Sequence, residues 1–312
     1  MAWHASTAEL DLRPTRKRGL LVAVAALAAC GPHNTTNQAP TPTNPRTRAA
    51  TTPSQRPLPP RYGQGSATYA ITSVGVVTSP GDTADHADTV TTQSRLTYTA
   101  QWSGPKLEVF GRITYRVGTG AGTASRAGPN TTNGSSALSD SVAFDLVVDT
   151  ATGRAVTPGD SAAVPACPPG GPMAEQARAL ATQRPRTFAP SSTWSDSTTQ
   201  LSCLGGVPVT TRTARAFTVA PQTTSDPVSG AEAILVSYQS ETHLSGAARR
   251  GQQLVELDGG GTGTTQQYYD RTAGTLLSAH TTAALDLDLR VNGRLQRLHQ
   301  QADWKAVKQH GN

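Results

Sequence analysis

The chain has 312 residues and a formal net charge of +6, and aromatic residues make up only 5% of it. This length suits one large β domain or two small ones. Basic residues are spread along the chain without a Lys/Arg-rich block interleaved with aromatic residues, which argues against nucleic-acid binding. Thr, Ser, Gly, Ala and Val dominate, and this composition favours strands and turns over helices.

The first 30 residues have the order of segments that defines a secretory signal peptide. Four basic residues between positions 13 and 18 precede an apolar run at 19–29, and Cys30 follows. The run is about half as long as a membrane-spanning helix requires. A buried core helix would not follow a basic segment in this way. The sequence therefore predicts a cleaved export signal over residues 1–29.

The motif at the end of this run, Leu27-Ala28-Ala29-Cys30, resembles the lipobox of bacterial lipoproteins. In that family the cysteine thiol receives a diacylglyceryl group, the signal peptidase cuts before the cysteine, and the new amino terminus is usually acylated. The resemblance implies lipidation of Cys30 and a membrane-anchored, exported protein. In Gram-negative members an Asp directly after the cysteine favours inner-membrane retention. Gly31 stands at that position, which implies anchoring in the outer membrane, facing the periplasm.

The segment 30–65 is predicted to be a disordered tether behind the lipidated cysteine. Repeated prolines lie among Thr, Asn, Gln and Arg, and apolar side chains are almost absent. Such a segment cannot bury enough surface to offset its ordering entropy. About 34 flexible residues have an r.m.s. reach of about 30–35 Å, which would hold a folded domain clear of the bilayer.

Residues 66–312 are predicted to form one antiparallel β domain. Apolar and polar residues alternate with a period of two, which indicates strands with one buried and one wet face. Asn292-Gly293 is a strong hairpin signal, and Ser103-Gly104-Pro105 and Arg271–Gly274 also predict turns. We expect a curved sheet, either a half-barrel or a sandwich, of about ten strands. The predicted strands are 67–78, 89–102, 107–117, 142–148, 192–203, 207–219, 231–244, 252–258, 264–270, 285–291 and 294–305.

One helix is predicted over residues 173–183, because good helix formers lie between Pro172 and Pro185. With Cys30 lipidated, Cys167 and Cys203 remain. Two leftover cysteines in an exported chain favour a disulfide. A metal site is the alternative, but it would need about four ligands, and no His lies near either cysteine. The disulfide would tie the loop before the helix to a strand.

Candidate chemistry is sparse. A cluster of ionisable residues between the first two strands has oxygen ligands that suit Ca²⁺, but it lacks the glycine and terminal Glu of an EF-hand loop, so a solvated loop is the favoured reading. That cluster is Asp82, Asp85, His86 and Asp88. The glycine-rich run Gly259–Gly263 lacks the helix that phosphate loops require, and we predict a turn there. We predict a long loop over 118–137.

No nucleophile motif of the Gly-x-Ser-x-Gly type occurs in the chain. His243, His280 and His299 have no ligand spacing among them, so each is predicted to be a surface histidine. His280 should face water if Leu285 faces the core. Trp102, Trp194 and Trp304 lie in strand regions, where either core packing or anchoring at the rim is expected. We therefore expect no cofactor, no metal and no enzymatic activity.

Two segments, 188–196 and 261–276, resemble parts of a group of uncharacterised β-rich bacterial lipoproteins. These segments are Phe-Ala-Pro-Ser-Ser-Thr-Trp-Ser-Asp and Gly-Thr-Gly-Thr-Thr-Gln-Gln-Tyr-Tyr-Asp-Arg-Thr-Ala-Gly-Thr-Leu. The resemblance implies location and architecture only.

The functional expectation is a non-enzymatic binding domain for a lipid or other apolar ligand, enclosed by the curved sheet. Small residues expected on the inward face, Ala279, Ala283 and Gly111, would leave room for it or would allow tight packing. The alternative is a scaffolding lipoprotein that binds another envelope protein through a sheet edge. A hydrolase is the least favoured function.

Overall fold

The computed structural model describes residues 65–79, 87–104, 106–121, 138–149, 154–156, 171–182, 184–204 and 206–309. The predicted signal peptide and almost all of the predicted tether, including Cys30, lie outside these residues. Within the described part of the chain, no helix has the length and apolar character needed to cross a membrane.

The described residues form twelve strands and one helix, α1 (Gly171–Thr182). Ten strands are long, as predicted. The strands are β1 (Gly65–Thr78), β2 (Asp88–Ser103), β3 (Lys106–Ala121), β4 (Leu138–Asp149), β5 (Arg154–Val156), β6 (Thr193–Leu204), β7 (Val207–Val219), β8 (Thr224–Ser225), β9 (Glu232–Arg250), β10 (Gln253–Asp270), β11 (Leu276–Val291) and β12 (Arg294–Gln309).

All strands belong to one antiparallel sheet with the order β5-β4-β3-β2-β1-β12-β11-β10-β9-β7-β6, and β8 pairs with β9 outside this path. The first and last long strands meet in the middle of the sheet, with Thr68 opposite Gln309 and Thr78 opposite His299. Because this ladder is continuous, the two halves of the chain form one sheet. The sheet is strongly curled into a half-barrel, which confirms the predicted fold class.

The helix lies where the two ends of the curled sheet approach each other. It contacts β3 and β4 on one side and β6 on the other. Ala177, Leu180 and Ala181 are buried among aromatic side chains of the sheet. The predicted helix is confirmed, shifted by one or two residues. Its burial on the inner side explains why its sequence is rich in Ala, since small side chains allow close packing against the strands.

The interior contains two apolar cores, separated along the strands by a polar belt. The helix-side core is rich in aromatic residues and includes Tyr69, Phe144, Phe217 and Trp304. The hairpin-side core is aliphatic and includes Leu244. The inward positions between the two cores are occupied by buried polar side chains, which we call the polar belt: Thr213, Arg215, Ser240, Thr242, Thr265, Thr281 and Gln300, together with the mostly buried Asp196.

The glycine-rich run does not form the turn that was predicted from the sequence. Gly259–Gly263 lies inside the 18-residue strand β10. A Cβ atom on Gly261 would overlap the carbonyl oxygen of Ala284 and lie 2.8 Å from Cα of Leu285 on β11. Glycine is needed here because the neighbouring backbone approaches closely where the sheet curls. The predicted loop at 118–137 is also corrected, because β3 continues to Ala121; residues 122–137 lie outside the described residues.

The predicted turns are confirmed. Asn292 and Gly293 join β11 to β12 with φ angles of 50° and 78°, as a two-residue hairpin of type I′ requires. The side-chain oxygen of Asn292 also accepts a hydrogen bond from the backbone N–H of Leu254 at 2.8 Å. This turn is therefore joined to the start of β10. Gly104 and Gly274 have positive φ angles in the other two turns.

Only one of the two cysteines of the predicted disulfide lies within the described residues. Cys203 lies near the end of β6, opposite Pro208 on β7. Cys167 lies outside the described residues. The pairing of Cys167 with Cys203 therefore stays a prediction.

The loop between β8 and β9 is organised by a buried carboxylate, Asp226. Its oxygens accept hydrogen bonds from the backbone N–H of Ser229, at 2.8 Å, and from the hydroxyls of Ser229 and Ser278. Burial alone would raise the pKa of Asp226. The hydrogen bonds from Ser229, Ser278 and the Val228 amide outweigh it and hold the pKa below its usual value.

The lowered pKa of Asp226 predicts that the stability of the domain depends on pH. Because the pKa of Asp226 is lower in the folded state, its carboxylate adds to the free energy of unfolding. This stabilisation is complete above the unfolded pKa of about 4 and is lost as pH falls through the folded pKa. Asp226→Asn should cost about 1–3 kcal/mol at pH 7, and the difference from the parent should shrink below about pH 4. Urea unfolding from pH 7 to pH 3 measures both. A difference that grows as pH falls would contradict the assignment.

Candidate functional site

A polar groove of about 550 Å³ crosses the outer face of the sheet over β7, β9, β10 and β11. The outer face carries the side chains that alternate with those of the cores. The groove is lined by Ala216, Thr218, Ser237, Tyr238, Gln239, Thr264, Thr265, Gln266, His280 and Thr282. Eight of these ten occupy outward positions, and Tyr238 and Thr265 are buried, inward-facing residues.

Strand register explains how residues from distant parts of the sequence meet in the groove. Gln266 on β10 lies opposite Ser237 on β9 and His280 on β11. Two positions away, Thr264 lies opposite Thr282, and their hydroxyls are 2.9 Å apart. The floor of the groove is therefore made of short hydroxyl side chains, flanked by longer amide and imidazole groups.

One edge of the groove is formed by a histidine paired with a carboxylate. Nε2 of His280 lies 2.7 Å from Oδ2 of Asp303 on β12, and the two side chains are 40% and 45% exposed. Lys305 lies 3.7 Å from the other oxygen of Asp303. The expected placement of His280 on the wet face is confirmed, since Leu285 is buried in the hairpin-side core.

The chemical capacity of this groove is hydrogen bonding. Its hydroxyl, amide and imidazole groups offer both donors and acceptors. Within the described residues, the recorded hydrogen bond of His280 is to Asp303, and no hydroxyl is recorded as its partner. An activated nucleophile requires a base within hydrogen-bond reach, so these contacts do not assemble a Ser–His–Asp arrangement.

The other two predicted surface histidines also lie on the outer face, next to carboxylates. Nδ1 of His299 is 2.8 Å from Asp286, and Nε2 of His243 is 3.7 Å from Asp258. Within the part of the chain that the structure describes, no group of three or more His, Cys, Asp or Glu side chains could hold a metal ion.

The weak metal candidates of the sequence cannot be assembled from the described residues. Asp88 begins β2. Asp82, Asp85 and His86 lie outside the described residues, so the structure places no site there.

Two of the small inward residues, Gly111 and Ala279, do not leave room inside the sheet. A Cβ atom on Gly111 would overlap the ring of Phe144, so this side chain occupies the space. Ala279 is buried in the helix-side core. At these positions small residues allow tight packing. Gly111 and Ala279 therefore do not provide room for an apolar ligand.

The polar belt contains a buried ion pair that the sequence analysis missed. Nε and Nη2 of Arg215 donate to the two carboxylate oxygens of Asp196, at 2.7 and 3.0 Å. The guanidinium also lies 5.4 Å from the ring centroid of Phe217 and 5.9 Å from that of Tyr238. The alternation along β7 contained the signal, because Arg215 shares the inward parity of Phe217.

The three tryptophans have different environments. Trp304 is 1% exposed in the helix-side core. Trp194 stacks on Phe217, with ring centroids 4.8 Å apart. Trp102 is 45% exposed at the end of β2, so of the two expected roles core packing does not apply to it.

Comparisons with known proteins give structural likeness alone. No family model matches the chain, and no curated protein matches it. The chain is similar to an outer membrane channel from Pseudomonas putida F1, with 12% identity, a TM-score of 0.23 and coverage of 84% of this chain and 100% of that chain. It is also similar to Neisserial surface protein A, with 8% identity, a TM-score of 0.19 and coverage of 79% of this chain and 98% of that chain. A mutant Rh. blastica porin is similar as well, with 9% identity, a TM-score of 0.23 and coverage of 78% of this chain and 100% of that chain. The likeness is that of a curled β-rich sheet, and no functional argument rests on it.

Proposed function

We propose that this protein is a membrane-anchored lipoprotein whose β domain is a non-enzymatic binding module. The outer groove is the binding site, and its ligand is a neutral saccharide. The observation that carries this proposal is the lining of the groove, where Thr264, Thr282, Ser237, Gln239 and Gln266 present hydroxyl and amide groups to one space of about 550 Å³.

The lining favours a polar ligand over the apolar ligand expected from the sequence. An apolar ligand would leave the hydroxyls and amides of the groove without partners, and each unpaired polar group that a ligand covers costs free energy. A saccharide matches them with hydroxyl groups that both donate and accept. Ala216 is the one aliphatic side chain of the lining, so contact with the sugar ring would be small and affinity modest.

The polarity of the outer face supports attachment through a lipid anchor. Strands that face lipid present an apolar band outward. Here Arg112, Glu241 and Lys305 are exposed on the outer faces of long strands. This distribution suits a domain held at the membrane by lipidated Cys30 and a tether. The proposed location is the periplasmic side of the outer membrane.

The contacts of His280 make a binding role the better proposal than hydrolysis. Its Nε2 is engaged by Asp303, and no described hydroxyl is its partner. The paired histidine acts here as a fixed hydrogen-bonding group at the edge of the groove.

A scaffolding role draws less support from the outer face. The exposed large apolar residues lie on different elements of the described chain, and single exposed apolar residues are normal on soluble surfaces. They are Val74, Trp102, Phe110, Leu201, Val228, Leu254 and Leu295.

The test is a titration with N,N′-diacetylchitobiose, a neutral disaccharide rich in hydroxyl and amide groups. The mature chain from Cys30, with Cys30→Ser to avoid lipidation, would be followed by calorimetry and by NMR shifts of groove residues. We expect saturable binding near 1 mM, typical of a few hydrogen bonds. Thr264→Val with Thr282→Val should weaken it about tenfold, because two hydroxyls are lost without a change of shape.

A matched control exists on another part of the sheet. Thr68 and Thr97 form a similar exposed cross-strand pair on β1 and β2, with hydroxyls 3.3 Å apart. Thr68→Val with Thr97→Val should leave binding unchanged. Absence of saturable binding, or equal weakening by both pairs of substitutions, would contradict the proposed site.

A further inference from the structure

Three arginines form a triangle on the outer face of β2 and β3, away from the groove. Arg95 lies on β2, and Arg112 and Arg116 lie on β3. All three are exposed. We call them the arginine triangle.

Strand register brings the three side chains around one hydroxyl. Arg95 lies directly opposite Thr114, which stands between Arg112 and Arg116 on the outer face of β3. Arg95 is therefore a diagonal neighbour of both other arginines, at about 7–8 Å, which is within reach of long side chains. Ser141 of β4 lies opposite Thr114 on the other side. Three guanidinium groups can thus converge over a floor of small hydroxyl residues.

The positive charge of the triangle is incompletely compensated by its neighbours. No described carboxylate forms an ion pair with it, whereas Arg215, Arg271 and Arg297 are each recorded beside a carboxylate. Asp145 lies on the same face, opposite Phe110 and diagonal to Arg112.

Two other carboxylates lie near the triangle along the strands. Glu108 is on the outer face of β3, four residues before Arg112. Asp140 lies opposite Tyr115, and its carboxylate accepts the hydrogen bond of the Tyr115 hydroxyl at 3.0 Å. Asp145 and Glu108 thus both lie on the Arg112 side, and Asp140 has the inward parity of Phe144. Among the described residues, no carboxylate on the outer face is therefore next to the Arg95 and Arg116 end.

We propose that the arginine triangle binds a phosphate group. Guanidinium groups hold phosphate oxygens through paired, charge-assisted hydrogen bonds. The phosphate comes either from a membrane lipid headgroup or from a soluble phosphate compound, and both have the same recognition chemistry. Binding would relieve the mutual repulsion of the three charges.

The experiment uses the mature chain with Cys30→Ser and two probes, inorganic phosphate and phosphatidylglycerol vesicles, with phosphatidylcholine vesicles as the neutral reference. The triple variant Arg95→Gln, Arg112→Gln, Arg116→Gln should bind phosphate at least about tenfold more weakly. The corresponding triple Lys variant should show an intermediate loss, because Lys keeps the charge without the planar fork.

A charge-matched control removes three exposed arginines near the hairpins at the ends of β9 and β11. Arg249→Gln, Arg290→Gln, Arg294→Gln changes the net charge equally and should leave phosphate binding unchanged. If the parent binds both phosphatidylglycerol vesicles and phosphate, and the triple Gln variant of the triangle loses both, the source is a lipid headgroup. If the parent binds phosphate but not the vesicles, the source is a soluble phosphate compound. Equal weakening by the two Gln variants, or no saturable phosphate binding by the parent, would overturn the proposal.

Discussion

Gly261→Ala is expected to destabilise the domain by about 3 kcal/mol or more, the upper end of the range for overpacked sites. The added methyl group would overlap the carbonyl oxygen of Ala284 and approach Cα of Leu285. These are backbone atoms of a paired strand, so no side-chain rotation relieves the overlap. The ladder between β10 and β11 must shift or open. Urea unfolding followed by circular dichroism measures the loss.

The control for this substitution is Gly118→Ala. Gly118 also lies inside a long strand, but a Cβ atom there would meet its nearest atom, the carbonyl oxygen of Thr91, at an ordinary 3.9 Å. We expect no loss of stability at Gly118, because Ala reduces the conformational freedom of the unfolded chain. If both variants lost the same free energy, close backbone approach at Gly261 would not be the reason for its glycine.

Asp196→Ala is expected to cost about 3–5 kcal/mol, because it removes a carboxylate that pairs with the buried Arg215 guanidinium. The side chains of Arg215 and Asp196 are 1% and 10% exposed, so water cannot replace the lost carboxylate. The urea unfolding midpoint should fall sharply. Arg215 also stays against Phe217 and Tyr238, and its burial cannot be relieved by a simple rotation into solvent.

A double substitution separates the cost of a broken pair from the value of the intact one. Asp196→Leu with Arg215→Met replaces both charges by apolar groups, and such replacements are often neutral or stabilising. The double variant should therefore be more stable than Asp196→Ala alone. If Asp196→Ala cost less than about 1 kcal/mol, the pair would behave as an exposed one, and the polar belt would have to be accessible to water.

Local patterns in the sequence predicted most of the strands because strand burial has a period of two. Val109 and Ile113 on β3 are buried, and Phe110 and Arg112 between them are exposed. The Asn292-Gly293 turn was predictable for a similar reason, since few residue pairs accept two positive φ angles. In each case the information lies within a few neighbouring residues.

The glycine-rich run shows where local reasoning fails. Gly259–Gly263 has the composition of a turn, and it divided one strand into two in the sequence-based prediction. In the structure Gly259 and Gly261 lie against the backbone of β11, and Gly260 lies against the backbone of β9. Composition shows that glycine is needed at a position, but it does not distinguish a bend of the chain from the close approach of another strand.

The candidate site could be predicted only in part. His280 was placed on the wet face from the parity of its strand. Its pairing with Asp303, and its position opposite Gln266, depend on strand register across β10, β11 and β12. Register depends on turn geometry and on the packing of whole faces. A single-residue shift in one strand would replace every groove residue that it contributes.

The sequence by itself determined the class of structure: alternating strands, one helix, the hairpin turns, and the segments expected to serve as export signal, lipid anchor and tether. These features follow from short-range chemistry, namely side-chain alternation, turn conformations and a linear motif. The tertiary structure alone decided which faces meet: the curl at Gly261, the Arg215–Asp196 pair, the groove and the arginine triangle. Each of these joins residues from different strands, because hydrogen-bonded ladders place side chains by register and curvature rather than by distance along the chain.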